Sequence, residues 1–167
     1  MEALIFSDSH GRTRAMHAAM ERQITPPDAV FFLGDGVRDV ELLAYEANAF
    51  YSVRGNCDWF SGYDDTPSER IVLFAGKRIL MTHGHDYHVK SGLGALLVRA
   101  AAVDADLVLF GHTHQPLCES ISAGTVIGEK TLARPMHLFN PGSVGMDGSF
   151  GTLTVRGGEI LLAHGSL

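Results

Sequence analysis

Five short apolar runs recur along the chain, at Ala3 to Phe6, Val30 to Leu33, Phe50 to Val53, Ile79 to Met81 and Leu107 to Phe110, and each is bounded by Gly, Asp or another turn-forming residue. Short runs of this kind, apolar without a polar face, predict strands buried on both sides. Between them, Thr13 to Gln23, Asp39 to Ala47 and roughly Gly92 to Val103 carry helical periodicity. The first helix is expected to turn Ala15, Ala18 and Ala19 inward, with Met16 and Met20 available to the same face, and Pro26-Pro27 closes it. Strand-helix-strand alternation implies right-handed crossovers and a largely parallel core. Beyond Pro116 the pattern changes to short strands, Ile121 to Ile127, Met136 to Phe139, Phe150 to Val155 and Glu159 to His164, punctuated by Gly124, Gly142, Gly151 and the turn Gly157-Gly158. These predict antiparallel hairpins. A further hairpin is expected at Ile71 to Met81, turning at Gly76-Lys77, and the hairpins together are expected to complete a second sheet packed on the first.

Composition narrows the picture. A chain of 167 residues, 46% hydrophobic, supports one core, so a single domain over residues 1–167 is expected. The formal net charge of -6 and the pI of about 5.8 argue against a general grip on a nucleic-acid backbone, so no nucleic-acid polymer is expected as partner. A small anionic substrate would need local cations, such as bound metal. The two cysteines, Cys57 and Cys118, are far apart and lack metal-knuckle spacing, which suggests neither a disulfide framework nor a zinc ribbon. The N-terminal run passes into Ser7-Asp8-Ser9-His10 too soon for a signal peptide, and no apolar stretch is long enough to span a bilayer. A cytoplasmic protein without membrane contact is expected.

The ends of the apolar runs carry the chemistry. After the first comes Asp8-Ser9-His10, after the second Gly34-Asp35, after the third Gly55-Asn56, after the fourth His83-Gly84-His85, and after the fifth Gly111-His112-Thr113-His114. Each fragment alone has an ordinary role: Asp8 as a helix cap, Asp35 and Asn56 as turn formers, the histidines as solvated loops. Together they place a candidate ligand at the same topological position five times. In open α/β sheets the carboxyl ends of the strands form one rim, so the fragments are expected to converge on one crevice.

The ordered set Asp8-x-His10, Gly34-Asp35-(x)3-Asp39, Gly55-Asn56-x-Asp58, His83-Gly84-His85 and Gly111-His112-x-His114 resembles the calcineurin-like metallophosphoesterases, over essentially the whole chain. Asn140-Pro141-Gly142-Ser143 and the short length are similar to the small bacterial and archaeal phosphodiesterases of YfcE type. The resemblance implies an α/β fold (α+β by some schemes) of two packed mixed sheets, a β-sandwich flanked by helices. It also implies two divalent metal ions, usually Mn²⁺, with Fe, Zn²⁺ or Ni²⁺ as alternatives. The mixed nitrogen and oxygen donors, without thiolate, agree with that choice over Ca²⁺ or Cu⁺. Carried over, Asp8, His10 and His114 would hold one metal, Asn56, His83 and His112 the other, and Asp35 would bridge them. In-line attack by a metal-bridging hydroxide on a small phosphodiester is the implied reaction, with Asp35 and Asn56 serving catalysis as well as coordination.

The pattern departs at Cys57, where many relatives carry a histidine assigned to phosphate contact or leaving-group protonation. His85 is the candidate substitute acid. Arg12 and Arg38 flank ligand loops and are candidates to grip phosphate, and Ser143 is expected to shape the rim. His17, His88, His137 and His164 read as structural or surface residues. Two other readings compete with a small-molecule enzyme. One is a non-catalytic interaction scaffold, as in the retromer subunit of similar fold, although here every ligand position holds a coordinating residue. The other is a DNA nuclease, which the short, acidic chain disfavours. A homo-oligomer is compatible with the pattern.

Overall fold

The computed structural model describes residues 1–40, 43, 46–59 and 65–167. Its two main sheets have five strands each and form a sandwich. The first runs β12-β11-β1-β2-β3, with β1 at Glu2–Phe6, β2 at Ala29–Phe32, β3 at Phe50–Ser52, β11 at Phe150–Arg156 and β12 at Glu159–Gly165. The second runs β4-β5-β6-β10-β7, with β4 at Glu69–Phe74, β5 at Lys77–Thr82, β6 at Leu107–Leu109, β7 at Leu117–Ile121 and β10 at Met136–Asn140. A small ribbon pairs β8, Val126–Ile127, with β9, Lys130–Thr131. Helix α1 spans Arg14–Glu21, α2 Gly94–Ala102 and α3 Val144–Asp147.

The continuous apolar runs follow from burial on both faces of each sheet. Successive side chains of a strand point to opposite faces. Ala3, Ile5, Ala29, Phe31 and Leu33 therefore meet Ile79, Met81, Leu107 and Leu109 in the layer between the sheets. Their neighbours Leu4, Phe6, Val30 and Phe32 pack outward against Met16, Ala19 and Met20 of α1. On the other side, Leu80, Val108 and Phe110 pack against Leu96, Ala100 and Ala101 of α2.

Several expectations change. The five strands that end in candidate ligands do not share one sheet: β1, β2 and β3 are parallel in the first, and β5 and β6 are parallel in the second. The final hairpin joins the first sheet through β1–β11 pairing instead of completing the second, because its inward residues Leu153 and Val155 belong to the layer that β1 also fills. The segment from Ile121 to Ile127 is not one strand; β7 stops at Ile121 and Gly124, at φ +84°, turns the chain before β8. The β4–β5 turn is Ala75-Gly76, both at positive φ (50° and 78°), flanked by the pair Phe74–Lys77. That geometry matches the strand twist, and a turn centred on Gly76-Lys77 would slip the register by one residue. Helix α1 is shorter than the periodic stretch and buries Met16, Ala19 and Met20, leaving Ala15 and Ala18 half-buried at its side. Of the helix expected at 39–47, Val37–Val40 is a 3₁₀ turn and residues 41, 42, 44 and 45 lie outside the described residues. Among the described residues no helix is long and apolar enough to cross a membrane.

Phe31 is fully buried between the sheets, stacked on Tyr51 at 5.4 Å and edge-on to Phe74 at 5.5 Å. Phe31→Ala should lower the unfolding free energy by about 3–5 kcal/mol, the usual range for a buried phenylalanine. A urea denaturation midpoint that does not move would contradict the sandwich packing.

Candidate metal centre

The ligand-bearing loops leave the carboxyl ends of strands from both sheets and are stitched to one another by backbone hydrogen bonds. Asp8 N–H donates to Gly34 C=O (3.0 Å), His10 N–H to Asp35 C=O (3.1 Å) and Gly111 N–H to His83 C=O (3.1 Å). Val144 and Gly145 of α3 donate to the Ser7 and Asp8 carbonyls at 3.0 and 3.2 Å. The crossing is tight enough to require glycine at two points. A Cβ on Gly55 would fall 2.1 Å from Asp35 Oδ1, and one on Gly111 1.9 Å from Ser7 Oγ.

Asp8, His10, Asp35, His112 and His114 adopt φ of 56°, 46°, 58°, 67° and 60°, in the left-handed region that costs an L-residue about 1–2 kcal/mol. Such strain persists only where surrounding contacts over-determine it, and it concentrates at functional sites. The main such contact here is Asp58. Its buried carboxylate accepts four backbone N–H groups, from Asp35 (2.8 Å) and Gly55 (2.8 Å) on Oδ2 and from Gly36 (2.9 Å) and Val37 (3.0 Å) on Oδ1. Asp39 ties the β1 loop in the same way, accepting from Ser9 Oγ at 2.6 Å and Gly11 N–H at 2.7 Å.

Two buried carboxylates lie among the imidazoles. Asp8 Oδ2 accepts from Ser7 Oγ and, at 3.1 Å, from His112 N–H. Its Oδ1 is buried without a hydrogen bond, although His114 Nε2 stands 3.1 Å away and His10 Nε2 and His83 Nε2 each 3.9 Å. Asp35 Oδ1 accepts from Cys57 N–H at 2.8 Å, while Oδ2 faces His83 Nε2 at 3.4 Å and His10 Nε2 at 3.9 Å. Asp35 therefore reaches toward histidines of both expected half-sites. His10 and His114 bring their Nε2 atoms within 3.5 Å of each other, and His112 Nδ1 lies 3.2 Å from His83 Nε2. His83 Nδ1 is 2.7 Å from the Leu33 carbonyl, which can only accept, so Nδ1 carries a proton, and when the ring is neutral the Nε2 lone pair faces the cluster.

Electrostatics tie these groups together. Burial raises the Asp35 pKa, but the hydrogen bond and charge of His83, with the Cys57 contacts, outweigh it and hold the carboxyl below its ordinary value. Burial lowers the His83 pKa, and the hydrogen bond to Asp35 and the charges of Asp35 and Asp8 more than reverse that. His112 is pushed down to about 4, by burial first and then by the His83 charge. Burial, then Asp35, raises the Cys57 thiol to about 11.

The residues fit divalent cations. A buried carboxylate oxygen without a hydrogen bond is costly unless a cation satisfies it, and Asp8 Oδ1 is such an atom. Donor atoms of Asp8, His10 and His114 lie within 4.8 Å of one another, as do those of Asp35, His83 and His112. A third such trio, His10, Asp35 and Cys57, shares two residues with these and adds only a thiol held protonated. Nitrogen and carboxylate oxygen donors of this kind suit Mn²⁺, Fe and Zn²⁺.

The remaining expected residues are placed unevenly. Asn56 is exposed on the turn after Gly55, donates to Cys57 Sγ at 3.4 Å and joins Asp35 through the Cys57 backbone. His85 stands beside the cluster, its ring 5.4 Å from that of His83 and 6.2 Å from that of His112, and burial lowers its pKa. Arg38 lines a depression of about 420 Å³ with His10, Asp35 and Cys57, whereas Arg12 donates to the Gly145 carbonyl at 3.1 Å. His137 pairs with Ser120 Oγ, and His164 pairs with the Asn140 carbonyl and stacks on Phe139. Sequence reasoning gave Asp39, Asp58 and Asn140 no role of their own in holding the loops and expected Ser143 only to shape the rim. Besides Asp58 and Asp39, Asn140 Nδ2 donates to the Gly111 carbonyl (2.9 Å) and Thr113 Oγ1 (3.1 Å), and Ser143 Oγ donates to the Asp8 carbonyl (2.8 Å). The available signal was their presence inside the motifs themselves: Asp39 and Asp58 trail the ligands at fixed spacing, and Asn140 and Ser143 bound the Asn-Pro-Gly-Ser segment.

A family model described as the calcineurin-like phosphoesterase superfamily domain matches residues 1–158. The chain belongs to that superfamily. It is 33% identical over 145 residues to a curated Bacillus subtilis member, "Probable metallophosphoesterase YsnB", covering 86% of this chain and 75% of that one. Among solved structures it is similar to zinc-complexed Vps29 from Entamoeba histolytica, with a TM-score of 0.70 and 19% identity, covering 98% of each chain. It is also similar to a protein described as a novel archaeal phosphodiesterase, with a TM-score of 0.65 and 19% identity, covering 98% of this chain and 99% of that one. At these identities the two structures share the superfamily's fold with this chain, and the family assignment comes from the sequence matches.

Asp58→Asn keeps one acceptor oxygen and turns an NH₂ group toward backbone donors. It should lower stability by about 3 kcal/mol, since hydrogen bonds to a charged acceptor are worth about 1.5–3 kcal/mol each. It should also weaken metal binding about 10- to 100-fold, as loss of an outer partner typically does. Thermal unfolding and a Mn²⁺ titration check both, and a variant unchanged in both would remove Asp58 from this role.

Proposed function

We propose that the chain is a two-cation phosphoesterase that hydrolyses small phosphodiesters. The observation that carries this reading is the position of Asp35 Oδ2, between His83 and His10, with Asp8 Oδ1 set among three imidazoles beside it. Asp8, His10 and His114 would hold one ion, His83, His112 and the Asn56 carbonyl the other, and Asp35 both. Divalent cations of the kind these donors suit, Mn²⁺, Fe or Zn²⁺, would supply Lewis acidity at phosphorus and a nucleophilic oxygen for in-line displacement. The protein's own residues do the positioning. Leu33 fixes the His83 tautomer through its carbonyl, and Asp58 fixes the Asp35 loop. Asn56 adds a neutral oxygen, which leaves the centre net positive toward a phosphate, and Arg38 lies where it can orient an anionic ester.

A scaffold role remains the second reading, favoured by the similarity to Vps29. The full set of seven donor residues, five of them held in strained backbone, supports hydrolysis ahead of it. His10→Ala and His112→Ala should each lower turnover of bis(p-nitrophenyl) phosphate by at least about 100-fold at matched Mn²⁺, since even an outer partner can cost that much. Circular dichroism should stay unchanged, because the rim loops add little to the strand core. Wild-type turnover in both variants would place the activity elsewhere.

The leaving-group preference follows from Cys57. A thiol titrates well above neutrality, so it does not replace an imidazolium as proton donor. Aryl diesters, whose leaving group departs without a proton, should be preferred over alkyl esters. Cys57→His should raise activity on poor leaving groups selectively, and Cys57→Ser should change little. A Cys57→Ser loss of about 100-fold confined to poor leaving groups, within the range of general acid catalysis, would assign proton donation to the thiol.

A further inference from the structure

A second concave surface adjoins the β1 ligand loop, between α1 and α3, with a volume of about 440 Å³. Arg12, Arg14 and Arg22 line it, Ala15 and Ala18 lie between them, and Gly145 of α3 faces them. The chain has 19 acidic and 13 basic residues, yet three guanidiniums and no acidic side chain border this cavity among the described residues, with the main chain of Leu167 at its Gly148 edge. Arg14, Ala18 and the C-cap residue Arg22 are spaced i, i+4, i+8 along α1 and its last turn, which sets the two arginines about 12 Å apart along the axis. The alanines keep the floor between them low, which is why Ala15 and Ala18 are only half-buried despite the helical periodicity that suggested an inward face. Helix stability accounts for Arg22 at the C-terminal end but not for Arg14. The first turn of α1 has no acidic residue, and Arg14 opens the helix at the end where the macrodipole disfavours a cation. Among the described residues the side chains of Arg14 and Arg22 have no hydrogen-bond or ion-pair partner.

The cavity is joined to the metal centre by one short bridge. Arg12 Nη1 donates to the Gly145 carbonyl at 3.1 Å, and the Gly145 N–H donates to the carbonyl of Asp8 at 3.2 Å. Arg12 also anchors its own N–H on the Ser9 carbonyl at 2.9 Å, two residues beyond His10. We propose that this groove is an anion subsite of the same active site, and that the substrate is a phosphodiester bearing a second phosphate. The proposal rests on the phosphoesterase reading and names its substrate class. Guanidinium groups match phosphate oxygens by paired, charge-assisted hydrogen bonds, and a cavity of this size suits a small molecule.

The test uses the Mn²⁺-loaded chain and two substrates with the same scissile aryl diester, thymidine 5′-(p-nitrophenyl phosphate) with and without a 3′-phosphate. Wild type should show a KM about 10-fold lower for the 3′-phosphorylated compound. The double variant R14A/R22A should lose that advantage, with kcat and the constants for the unphosphorylated compound unchanged. Equal KM values in wild type, or an advantage that survives in the variant, would overturn the subsite. Calorimetric binding of thymidine 3′,5′-bisphosphate and thymidine 5′-monophosphate to the same samples separates the subsite from turnover. Arginine-dependent excess affinity for the bisphosphate without any hydrolysis would support the groove and remove the phosphoesterase reading. Equal affinity for the two would overturn the groove whatever the turnover.

Discussion

Two carboxylates withdrawn from water among four imidazoles set the terms for the rest of this molecule. Asp8 is fully buried and Asp35 nearly so, at 0% and 3% exposed, and one oxygen of Asp8 has no hydrogen bond. Burying such charges without a cation is expensive, and the surrounding imidazole nitrogens offset the cost only in part. Divalent cations at these donors would offset that cost. Five of the donor residues sit at positive φ, and backbone hydrogen bonds to Asp58, together with the loop-to-loop bonds from Asp8, His10 and Gly111, oppose their relaxation. The core of the sandwich supplies the rigidity, since the strands that deliver these loops pack on both faces.

Legibility in the sequence tracked how local each signal was. Asp8, His10, Asp35, His83, His112 and His114 could be nominated because each follows a buried apolar run by two to four residues, and the structure gathers these six around one cluster. The strands themselves were visible as apolar runs. What local pattern cannot carry is the partition of those strands between two sheets, because a strand buried on both faces reads the same in either. The pairing of β11 with β1 joins residues about 150 positions apart. The bond from His112 N–H to Asp8 Oδ2 spans 104 positions. Asp58 and Ser143 were visible as residues but not as the acceptor and donor that hold other loops, since their partners are backbone groups without a sequence signature. Ala15 and Ala18 misled for a related reason: alanine fits an inward face and a shallow groove equally well.

Cys57 shows how a single side chain can alter chemistry without altering architecture. Its backbone N–H holds Asp35 Oδ1 as any residue there could. With no cation bound, burial and Asp35 raise the thiol to about 11, so it stays protonated at neutral pH and is a weaker acid than an imidazolium. In the proposed reaction the cations and the leaving group itself would then do more of the work, favouring esters that need no acid. Arg38 near the cluster and the arginine groove beside the β1 ligand loop would supply binding energy where proton transfer supplies little.

The central claim is that Asp35 joins two cation sites. Calorimetric titration of Mn²⁺ into chelator-treated protein, run on wild type and on Asp35→Asn, tests it most directly. The account predicts two equivalents per chain in wild type and a loss of affinity at both in the variant, because one side chain serves both ions. A single equivalent in wild type, or an Asp35→Asn variant that weakens only one of two sites, would contradict it.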